Sequence, residues 1–471
     1  MDTQNQHVVI VGGGFCGLSA AYELGRRGIR ATVLEQDDEI GGLAGSFRVG
    51  GERLEKFYHH WFTNDLHVTE LARDLGTDDR IVARSTRTGM YFANRFLKLS
   101  TPADVLRFTP LRFPDRIRLG LLALRARRVK DWMSLEDRTA AQWLRALGGD
   151  EVYRVVWDPL MRGKFGEVAD EVSAVWFWNK LKLRGGSRGK AGQEQLAYYR
   201  GGFASLADSV ADAVRAQGGE VRTNARVTGL QVSGGRVTGV RTADGVLPAD
   251  AVVLTTPLPI AADLLSGLVS REEEARLRRI RYLANVCIVL ELDRSLSQTY
   301  WLNVNDPGFP FVGVIEHTNF EPTSTYAGRH IVYLSKYLPE TDALYRMSDD
   351  EVVRFTLGHL QRMFPQLPAE AVLAAHVWRA KYSQPIVERG YSRLIPSSRT
   401  GVPGVHLATM AQIYPEDRGT NYAIRQGREI AQQVADQVGP GTPRRVAGDE
   451  PRGTRVPGGA VGLATAGTAM D

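Results

Sequence analysis

The chain has 471 residues, of which 43% are hydrophobic, and a formal net charge of +6. Its apolar runs fall short of the roughly 18 to 20 residues that cross a bilayer, and its polar start lacks a signal-peptide pattern, so we expect a cytoplasmic protein. The length favours two joined domains. Cys16 and Cys287 are far apart, which excludes a disulfide framework and a structural zinc site, and no metal is predicted. The basic charge comes without a nucleic-acid recognition motif, so no nucleic-acid partner is expected.

The first segment has the pattern of a βαβ unit. The apolar run His7–Val11 predicts a buried strand that ends at Gly12. An amphipathic helix follows and ends at Gly28, and residues 31–35 have the composition of a second strand. We therefore predict two parallel strands joined by a helix.

The turn between this strand and helix reads Gly12-Gly-Gly14-Phe-Cys-Gly17 and matches the pattern G-x-G-x-x-G. Gly12 permits the tight turn, Gly14 lets the backbone approach a pyrophosphate, and Gly17 lets helix and strand pack closely. Glu35, eighteen positions beyond Gly17, can accept hydrogen bonds from a ribose diol. The alternative is a turn with incidental glycines, but the strand, the helix and Glu35 together favour a dinucleotide site.

The remaining chain contains segments of different character. Residues 81–199 are predicted to be largely helical, with many arginines and tryptophans, and residues 280–394 alternate strand patterns around one helix. Residues 439–471 are rich in Gly, Pro, Arg and Thr, so we predict a disordered tail there.

Further motifs carry a family resemblance. Glu35 is followed by Gly41-Gly-Leu-Ala-Gly45, a second glycine-rich loop that can reach the same pyrophosphate. Gly201-Gly202 opens a helix, residues 224–227 precede a meander, and residues 251–257 join a buried strand to Thr-Thr-Pro. Together these motifs resemble the FAD signature of the superfamily of flavin amine oxidases, protoporphyrinogen oxidases and phytoene desaturases.

This resemblance implies an α/β fold, with a Rossmann-type, glutathione-reductase-like FAD-binding domain and an inserted α+β substrate domain. The FAD-binding domain implied by the resemblance is discontinuous and consists of residues 1–80, 200–275 and 395–438. The substrate domain then consists of residues 81–199 and 280–394.

The resemblance also implies that FAD is the cofactor. In that case Val227 presents its backbone to the adenine, residues 410–421 pass the flavin ring, and a helix beginning near Asn421 points its N–H groups at the flavin. The predicted cofactor-binding residues are Gly12, Gly14, Phe15, Cys16, Gly17, Glu35, Gln36, Gly42, Leu43, Ala44, Val227, Thr255, Asp417, Thr420 and Asn421.

Residues 54–65 contain the candidate catalytic residues. In this superfamily the segment after the glycine doublet passes the reactive face of the flavin. Tyr58, His59 and His60 are therefore candidates for proton transfer or substrate contact, and histidine titrates nearest to neutral pH. The alternative is that the aromatic side chains belong to the core and the histidines are only hydrogen-bonded.

Two comparisons along the chain bear on the reaction. Residues 54–65 also resemble UDP-galactopyranose mutases, which isomerise a nucleotide sugar, but Phe62-Thr-Asn-Asp65 lacks the histidine of their His-Thr-Asn-Asp ending. The amine oxidases carry a lysine beside the flavin at the position that we align with Val286, so amine oxidation is disfavoured. We predict an FAD-dependent oxidoreductase of dehydrogenase, desaturase or oxidase type that takes a hydride from a substrate C–H bond. A redox-neutral nucleotide-sugar mutase is the alternative.

A third set of residues combines charged, polar and aromatic side chains with apolar neighbours. Arginine and lysine in a cleft suit a phosphate or carboxylate, so we expect a small-molecule substrate that is phosphorylated, a sugar nucleotide or an isoprenoid. The candidate substrate-binding residues are Arg95, Lys164, Glu316, His317, Asn319, Lys381 and Tyr391. Surface solvation is the alternative for the residues from Arg95 to Asn319, and core packing is the alternative for Lys381 and Tyr391.

Residues 106–130 combine Leu, Phe and Ile with seven arginines, at positions 107, 112, 116, 118, 125, 127 and 128. This composition is typical of a segment that lies on the inner, anionic face of a membrane, which suits an isoprenoid or lipid-linked substrate. A solvated helical hairpin is the alternative.

Overall fold

The computed structural model describes residues 6–98, 102–187 and 194–439, except for the side chains of residues 102 and 184–186. The tail predicted for residues 439–471 therefore lies, except for Gly439, outside the described residues.

The strands in chain order are β1 (His7–Val11), β2 (Arg30–Leu34), β3 (Ser46–Val49), β4 (Glu52–Glu55), β5 (Trp61–Phe62), β6 (Ile81–Ser85), β7 (Thr88–Phe92), β8 (Arg95–Lys98), β9 (Gln195–Tyr199), β10 (Glu220–Arg222), β11 (Gly229–Ser233), β12 (Arg236–Thr242), β13 (Gly245–Pro248), β14 (Ala251–Leu254), β15 (Tyr282–Leu292), β16 (Trp301–Val304), β17 (Gly313–Glu316), β18 (His330–Leu338), β19 (Val372–Pro385) and β20 (Val405–Leu407).

The helices in chain order are α1 (Phe15–Arg26), α2 (Leu66–Asp74), α3 (Pro102–Leu106), α4 (Phe113–Arg128), α5 (Ala140–Gly148), α6 (Asp150–Val152), α7 (Asp158–Phe165), α8 (Ala174–Gly186), α9 (Gly202–Ala216), α10 (Leu258–Leu265), α11 (Arg271–Arg279), α12 (Ala343–Arg346), α13 (Asp349–Met363) and α14 (Thr420–Val438). None of these helices, in the part of the chain that the structure describes, has the length and the apolar composition that a bilayer crossing requires. Helices and strands are mixed along the chain, so the predicted α/β class is confirmed.

Five parallel strands form one sheet, in the order β10-β2-β1-β14-β20. Both faces of this sheet are covered, which explains why β1 and β14 are almost continuously apolar. Val8 and Ile10 of β1 pack on the side of α1, α9 and α14. Val9 and Val11 pack on the opposite side, with α10 and the antiparallel meander β11-β12-β13.

The turn from β1 into α1 depends on close backbone contact. Gly12 has a φ of +114°, which favours glycine. A Cβ atom on Gly17 would lie 2.1 Å from the Gly12 carbonyl oxygen, so a side chain there would push α1 away from β1. The end of β1 and the start of α1 are therefore held close together at one edge of the sheet.

A second sheet of seven strands has the order β19-β15-β18-β17-β16-β7-β8. Its neighbours are antiparallel except for β16 and β7, which are parallel. Side chains of β15 alternate between two cores, because successive residues of a strand point to opposite faces. Cys287 and Val289 face the core that contains β1, whereas Val286 and Ile288 face α13.

The helices between β8 and β9 pack against one another beside these sheets. Thr139 and Gln142 form a capping box at the start of α5, which fixes that end of the helix. The indole Nε1 of Trp178 on α8 donates a hydrogen bond to the Ala126 carbonyl of α4, at 3.1 Å. Lys164 on α7 and Lys180 on α8 both reach the carboxylate of Asp417, so this helical layer contributes side chains to the site described below.

Candidate cofactor site and active site

A cleft of about 960 Å³ opens at the carboxyl ends of β1, β2 and β14. This is the edge of a parallel sheet at which ligands generally bind. Its lining comes from the β1–α1 turn, Leu34–Asp37, Gly41–Ala44, Lys56–Phe57, His59, Ala225–Thr228, Thr255–Pro257, Ile260, Asp263–Leu264, Trp378–Tyr382, Met410, Ile413, Arg418–Thr420, Ala423 and Gln426.

The first glycine bend leaves room beside the backbone. A Cβ atom on Gly14 would meet no other atom within 4 Å, so this position opens directly into the cleft. The Gly13 amide donates a hydrogen bond to Oε2 of Glu35 at 2.7 Å, and the Asp37 amide donates one to Oε1 at 3.0 Å. Burial raises the pKa of Glu35, and these amides oppose the rise. The carboxylate is thus oriented beside the bend, with lone pairs left for a ligand.

The second glycine bend lies against the first. Gly41 and Gly42 have φ values of +110° and +58°, and the Gly41 amide donates a hydrogen bond to the Gly13 carbonyl at 2.9 Å. A Cβ atom on Gly42 would lie 3.3 Å from the Cα of Gly14. The two bends therefore form one wall of bare backbone, which suits the close approach of a phosphate group.

Polar atoms without a protein partner indicate that the cleft fits a polar ligand. Thr256 Oγ1, Trp378 Nε1 and Arg418 Nε are buried and form no hydrogen bond among the described residues. All three belong to residues that line the cleft. Buried polar groups are normally hydrogen-bonded, so an elongated ligand with several polar groups, such as a dinucleotide, fits this lining.

The three candidate catalytic residues lie in different environments. His59 lines the cleft, and its Nδ1 lies 2.5 Å from the Phe57 carbonyl oxygen, so Nδ1 carries the proton. Burial lowers the pKa of His59 to about 4, and the ring is neutral at pH 7. His60 instead bonds Tyr300, with 3.0 Å between Nδ1 and the hydroxyl. Tyr58 packs edge-on against Trp301, and burial raises its pKa well above the usual value.

A cluster of charged side chains adjoins the cleft at Arg418. Lys180 Nζ lies 2.6 Å from the Asp417 carboxylate, and Lys164 Nζ lies 3.9 Å from it. Arg418 donates a hydrogen bond to the Tyr337 hydroxyl at 2.9 Å, and Lys164 lies 5.2 Å from the centre of the same ring. We call Lys164, Lys180, Asp417 and Arg418 the cationic cluster. Among these residues three cations surround one carboxylate.

Burial and charge set the protonation of this cluster. Burial lowers the pKa of Lys164 to about 7, although the Asp417 charge opposes the change. For Asp417, burial raises the pKa, but the charges of Lys180, Lys164 and Arg418 outweigh it and hold the pKa below its usual range. Near neutral pH, Asp417 is therefore ionised and Lys164 is poised between its two forms.

The structure brings most of the predicted cofactor residues into the cleft. Those that line it are Gly12, Gly14, Phe15, Cys16, Glu35, Gln36, Gly42, Leu43, Ala44, Val227, Thr255 and Thr420. Gly17 lies behind the wall, where it packs α1 on β1. Asp417 belongs to the cationic cluster, and Asn421 Oδ1 accepts a hydrogen bond from the Val68 amide at 3.2 Å, which caps α2.

The predicted substrate residues are more dispersed. Lys381 lines the cleft, with Nζ 2.9 Å from Glu340, and Lys164 belongs to the cationic cluster. Arg95 is exposed on the β7–β8 hairpin. Tyr391 is buried outside the cleft lining and donates a hydrogen bond to the Ala411 carbonyl at 2.9 Å.

Glu316, His317 and Asn319 lie together, apart from the cleft lining. The Glu316 carboxylate accepts hydrogen bonds from the amides of residues 296 and 297, at 3.0 and 2.9 Å. Asn319 donates to the carbonyls of residues 297 and 299, and His317 bonds the Tyr326 hydroxyl. The contacts of Glu316 and Asn319 fix the loop between β15 and β16, whereas the contact of His317 lies within the segment between β17 and β18.

Sequence reasoning missed Arg418, Tyr337 and Lys180. They stand in no recognisable motif, and only their neighbours in other segments give them significance. The alignment also gave Val286 as the position of the amine-oxidase lysine, but Val286 points towards α13. Cys287, next to it, faces the side of Tyr58, and β15 contains no lysine.

Comparisons with known proteins agree with this geometry. A family model described as flavin containing amine oxidoreductase matches residues 15–435. A coproporphyrinogen III oxidase of Propionibacterium freudenreichii is 29% identical over 321 residues, which cover 56% of this chain and 59% of the relative. A phytoene dehydrogenase of Streptomyces griseus is 29% identical over 303 residues, which cover 55% of this chain and 56% of the relative. The matches thus span a little over half the length of these relatives.

The fold also resembles solved structures. A reduced UDP-galactopyranose mutase superimposes with a TM-score of 0.70 at 15% identity, over 92% of this chain and 94% of the mutase. At this identity the likeness concerns the fold alone.

Proposed function

Because this chain belongs to the family of flavin containing amine oxidoreductases, we propose that it is an FAD-dependent oxidoreductase that removes a hydride from a C–H bond of a small-molecule substrate. FAD is the cofactor of this family, and when bound it supplies the ring that accepts the hydride. The observation that carries the proposal is the cleft that joins the two glycine bends and Glu35 to His59 and Arg418.

The residues of the cleft suggest how FAD is held. Gly14 and Gly42 offer bare backbone to the pyrophosphate, and Glu35 offers its carboxylate to the ribose. Val227 offers its backbone to the adenine. The first N–H groups of α14, beginning at Thr420, stabilise negative charge at the flavin end of the cleft.

We assign the parallel sheet to a Rossmann-type, glutathione-reductase-like domain. Its strands come from three separated stretches of the chain. Strands β1 and β2 lie within residues 1–80, β10 and β14 lie within residues 200–275, and β20 lies within residues 395–438. The seven-stranded sheet and the helices between β8 and β9 come from residues 81–199 and 280–394, which we assign to the substrate domain. This division of the chain supports an active site between the FAD-binding domain and the substrate domain.

The cationic cluster supports an anionic substrate. Lys164, Lys180 and Arg418 exceed the single carboxylate of Asp417 in charge, so a carboxylate or phosphate of the substrate is attracted there. Of the three candidate catalytic residues, His59 lines the cleft, and its neutral ring leaves Nε2 to accept a hydrogen bond from the substrate. Trp378 and Tyr382 add aromatic side chains to the lining.

Substrate class follows from these features. The relatives include proteins named for a porphyrinogen and for phytoene. A porphyrinogen carries carboxylates, whereas phytoene is a hydrocarbon, so the cationic cluster favours the porphyrinogen type. Amine oxidation is disfavoured, because β15 offers no lysine towards Tyr58.

A redox-neutral nucleotide-sugar mutase is the second candidate. Residues 54–65 resemble the corresponding segment of the mutases, and the cationic cluster also suits the diphosphate of a nucleotide sugar. Against it stands the missing histidine before Thr63.

Anaerobic mixing of the FAD-loaded protein with each substrate class tests these candidates. We expect coproporphyrinogen to bleach the flavin absorbance, and phytoene to bleach it more slowly at equal concentration. If UDP-galactose is interconverted only after the flavin is reduced with dithionite, and neither other compound bleaches it, the mutase replaces the oxidoreductase. Protein that stays colourless after incubation with FAD would refute both candidates.

A further inference from the structure

Helix α4 is apolar on two opposite faces. Its inner face consists of Leu119, Leu122 and Ala126, which are buried against the other helices. The Trp178 indole bonds the Ala126 carbonyl, which holds this face against α8. The rest of the protein therefore accounts for one of the two faces.

The outer face exposes large side chains to solvent. Phe113, Ile117, Leu121 and Leu124 are 63%, 42%, 40% and 54% exposed, and we call them the outer stripe. With 3.6 residues per turn, the four side chains fall within a sector of about 80°, opposite the inner face. Single exposed apolar residues are ordinary, but four in one line form a contiguous patch.

Arginines border the outer stripe on both sides. Arg118 and Arg125 lie about 80 to 100° to one side of its centre, and Arg116 and Arg127 lie as far to the other side. Arg118 pairs with Asp115 at 2.8 Å. Arg116 donates hydrogen bonds to the carbonyls of residues 106 and 111, and Arg125 donates one to the carbonyl of residue 147 at 3.1 Å. Arg125 and Arg127 form no ion pair among the described residues. Backbone carbonyls leave the charges of Arg116 and Arg125 uncompensated, and long arginine side chains can extend past an apolar stripe to a negatively charged surface.

We propose that the outer stripe inserts into the headgroup region of an anionic membrane, with the flanking arginines on lipid phosphates. An apolar stripe bordered by basic residues is the pattern of helices that lie in a membrane interface. A second copy of this chain would place arginines against arginines. Residues 440–471 are less suited than a membrane to cover the outer stripe, because they contain four arginines, one leucine and no aromatic residue.

The proposed membrane face lies one helix away from the candidate active site. Trp178, which bonds α4, is on the same helix as Lys180 of the cationic cluster. Trp176, also on α8, lies 4.7 Å from the Lys164 ammonium, measured to the ring centre. Helix α8 therefore connects the proposed membrane face to the cationic cluster.

Co-sedimentation of the full, FAD-loaded chain with lipid vesicles tests the proposal. We expect binding to vesicles of equal parts phosphatidylcholine and phosphatidylglycerol, little binding to phosphatidylcholine alone, and weaker binding as sodium chloride screens the charges. Leu124→Asp should lower the partition into anionic vesicles about tenfold or more, since it places a carboxylate in the stripe. Arg125→Gln with Arg127→Gln should lower it on anionic vesicles only.

Leu373→Asp is the matched control, because Leu373 is 53% exposed on β19, far from α4 in sequence. It should bind like the wild type. Absence of binding to anionic vesicles, or equal losses in both aspartate variants, would overturn the proposal. So would light scattering in which Leu124→Asp converts a dimer to a monomer, because the stripe would then be a protein interface. The assay uses no substrate, so its outcome is independent of the proposed function.

Discussion

The ammonium group of Lys180 lies 2.6 Å from the carboxylate of Asp417, directly before Arg418 in the wall of the cleft. This pair leaves Lys164, at 3.9 Å, as the less tightly held cation of the cluster. Burial lowers the pKa of Lys164 to about 7, so its charge changes near neutral pH. Recognition of an anionic substrate should therefore depend on pH in this range.

We expect KM for an anionic substrate to rise as pH increases through about 7, because the Lys164 ammonium is present below its pKa and lost above it. Lys164→Met should raise KM about tenfold at pH 6, change kcat less, and abolish the inflection. Steady-state kinetics from pH 5.5 to 8.5 measure this. Lys182→Met, on α8 beside Trp178, is the control and should keep the inflection. An inflection that persists without Lys164 would assign it to another group.

Asp417→Asn should move the same inflection to lower pH. The Asp417 charge raises the pKa of Lys164, so its removal lowers that pKa further. The shift is expected to be about one pH unit, equivalent to about 1.4 kcal/mol of lost charge interaction. The KM profile measures the shift, and the absorbance spectrum checks that FAD remains bound. An inflection that moves to higher pH would contradict this account of the cluster.

Gly14→Ala should fold normally but bind FAD at least about tenfold more weakly. The added Cβ meets no protein atom within 4 Å, and the backbone of Gly14, with φ −73°, accommodates alanine. The methyl group instead occupies space that the pyrophosphate needs. Fluorescence titration of apoprotein with FAD measures the affinity. Gly358→Ala on α13 is the control, because a Cβ there also meets nothing. Equal affinities in both variants would remove Gly14 from the cofactor site.

Glu55 should make stability depend on pH. Burial raises the pKa of Glu55 to about 7 from its usual 4.5, against a hydrogen bond from the Phe203 amide. The folded state thus keeps a proton that the unfolded state loses between these values, so this contribution is full below 4.5 and is lost as pH rises to about 7.

The free energy of unfolding of the wild type, relative to Glu55→Gln, should therefore fall with pH by up to about 3 kcal/mol across this window. Urea unfolding at several pH values measures the difference. A difference that is constant from pH 4 to 8 would show that the pKa of Glu55 is the same in the folded and the unfolded protein.

The two glycine bends could be located from the sequence because their requirements are local. Gly12, Gly41 and Gly42 adopt positive φ values, and a stretch of a few residues specifies such a turn. The family resemblance is confirmed by the family model, which matches residues 15–435 and so includes the second bend. The roles assigned to individual residues of the cleft remain predictions.

Other residues could not be interpreted from the sequence, because polar groups in a buried loop network resemble binding residues. Glu316 and Asn319 fix the loop between β15 and β16, and nothing in their local pattern distinguishes this role from substrate contact. Val286 illustrates a second difficulty. A shift of one residue along a strand reverses the face on which a side chain lies. Only the packing of β15 shows that Cys287, and not Val286, faces the side of Tyr58.

The sequence by itself determined the α/β class and the two glycine bends, since strand, turn and helix patterns act over short distances along the chain, and the family resemblance of its motifs implied the cofactor. Only the tertiary structure decided that Lys164, Lys180 and Asp417 meet, because α7 and α8 lie far from the segment before α14 in the sequence. Their charges become coupled, and the pKa of Lys164 falls, once packing has excluded water from around them.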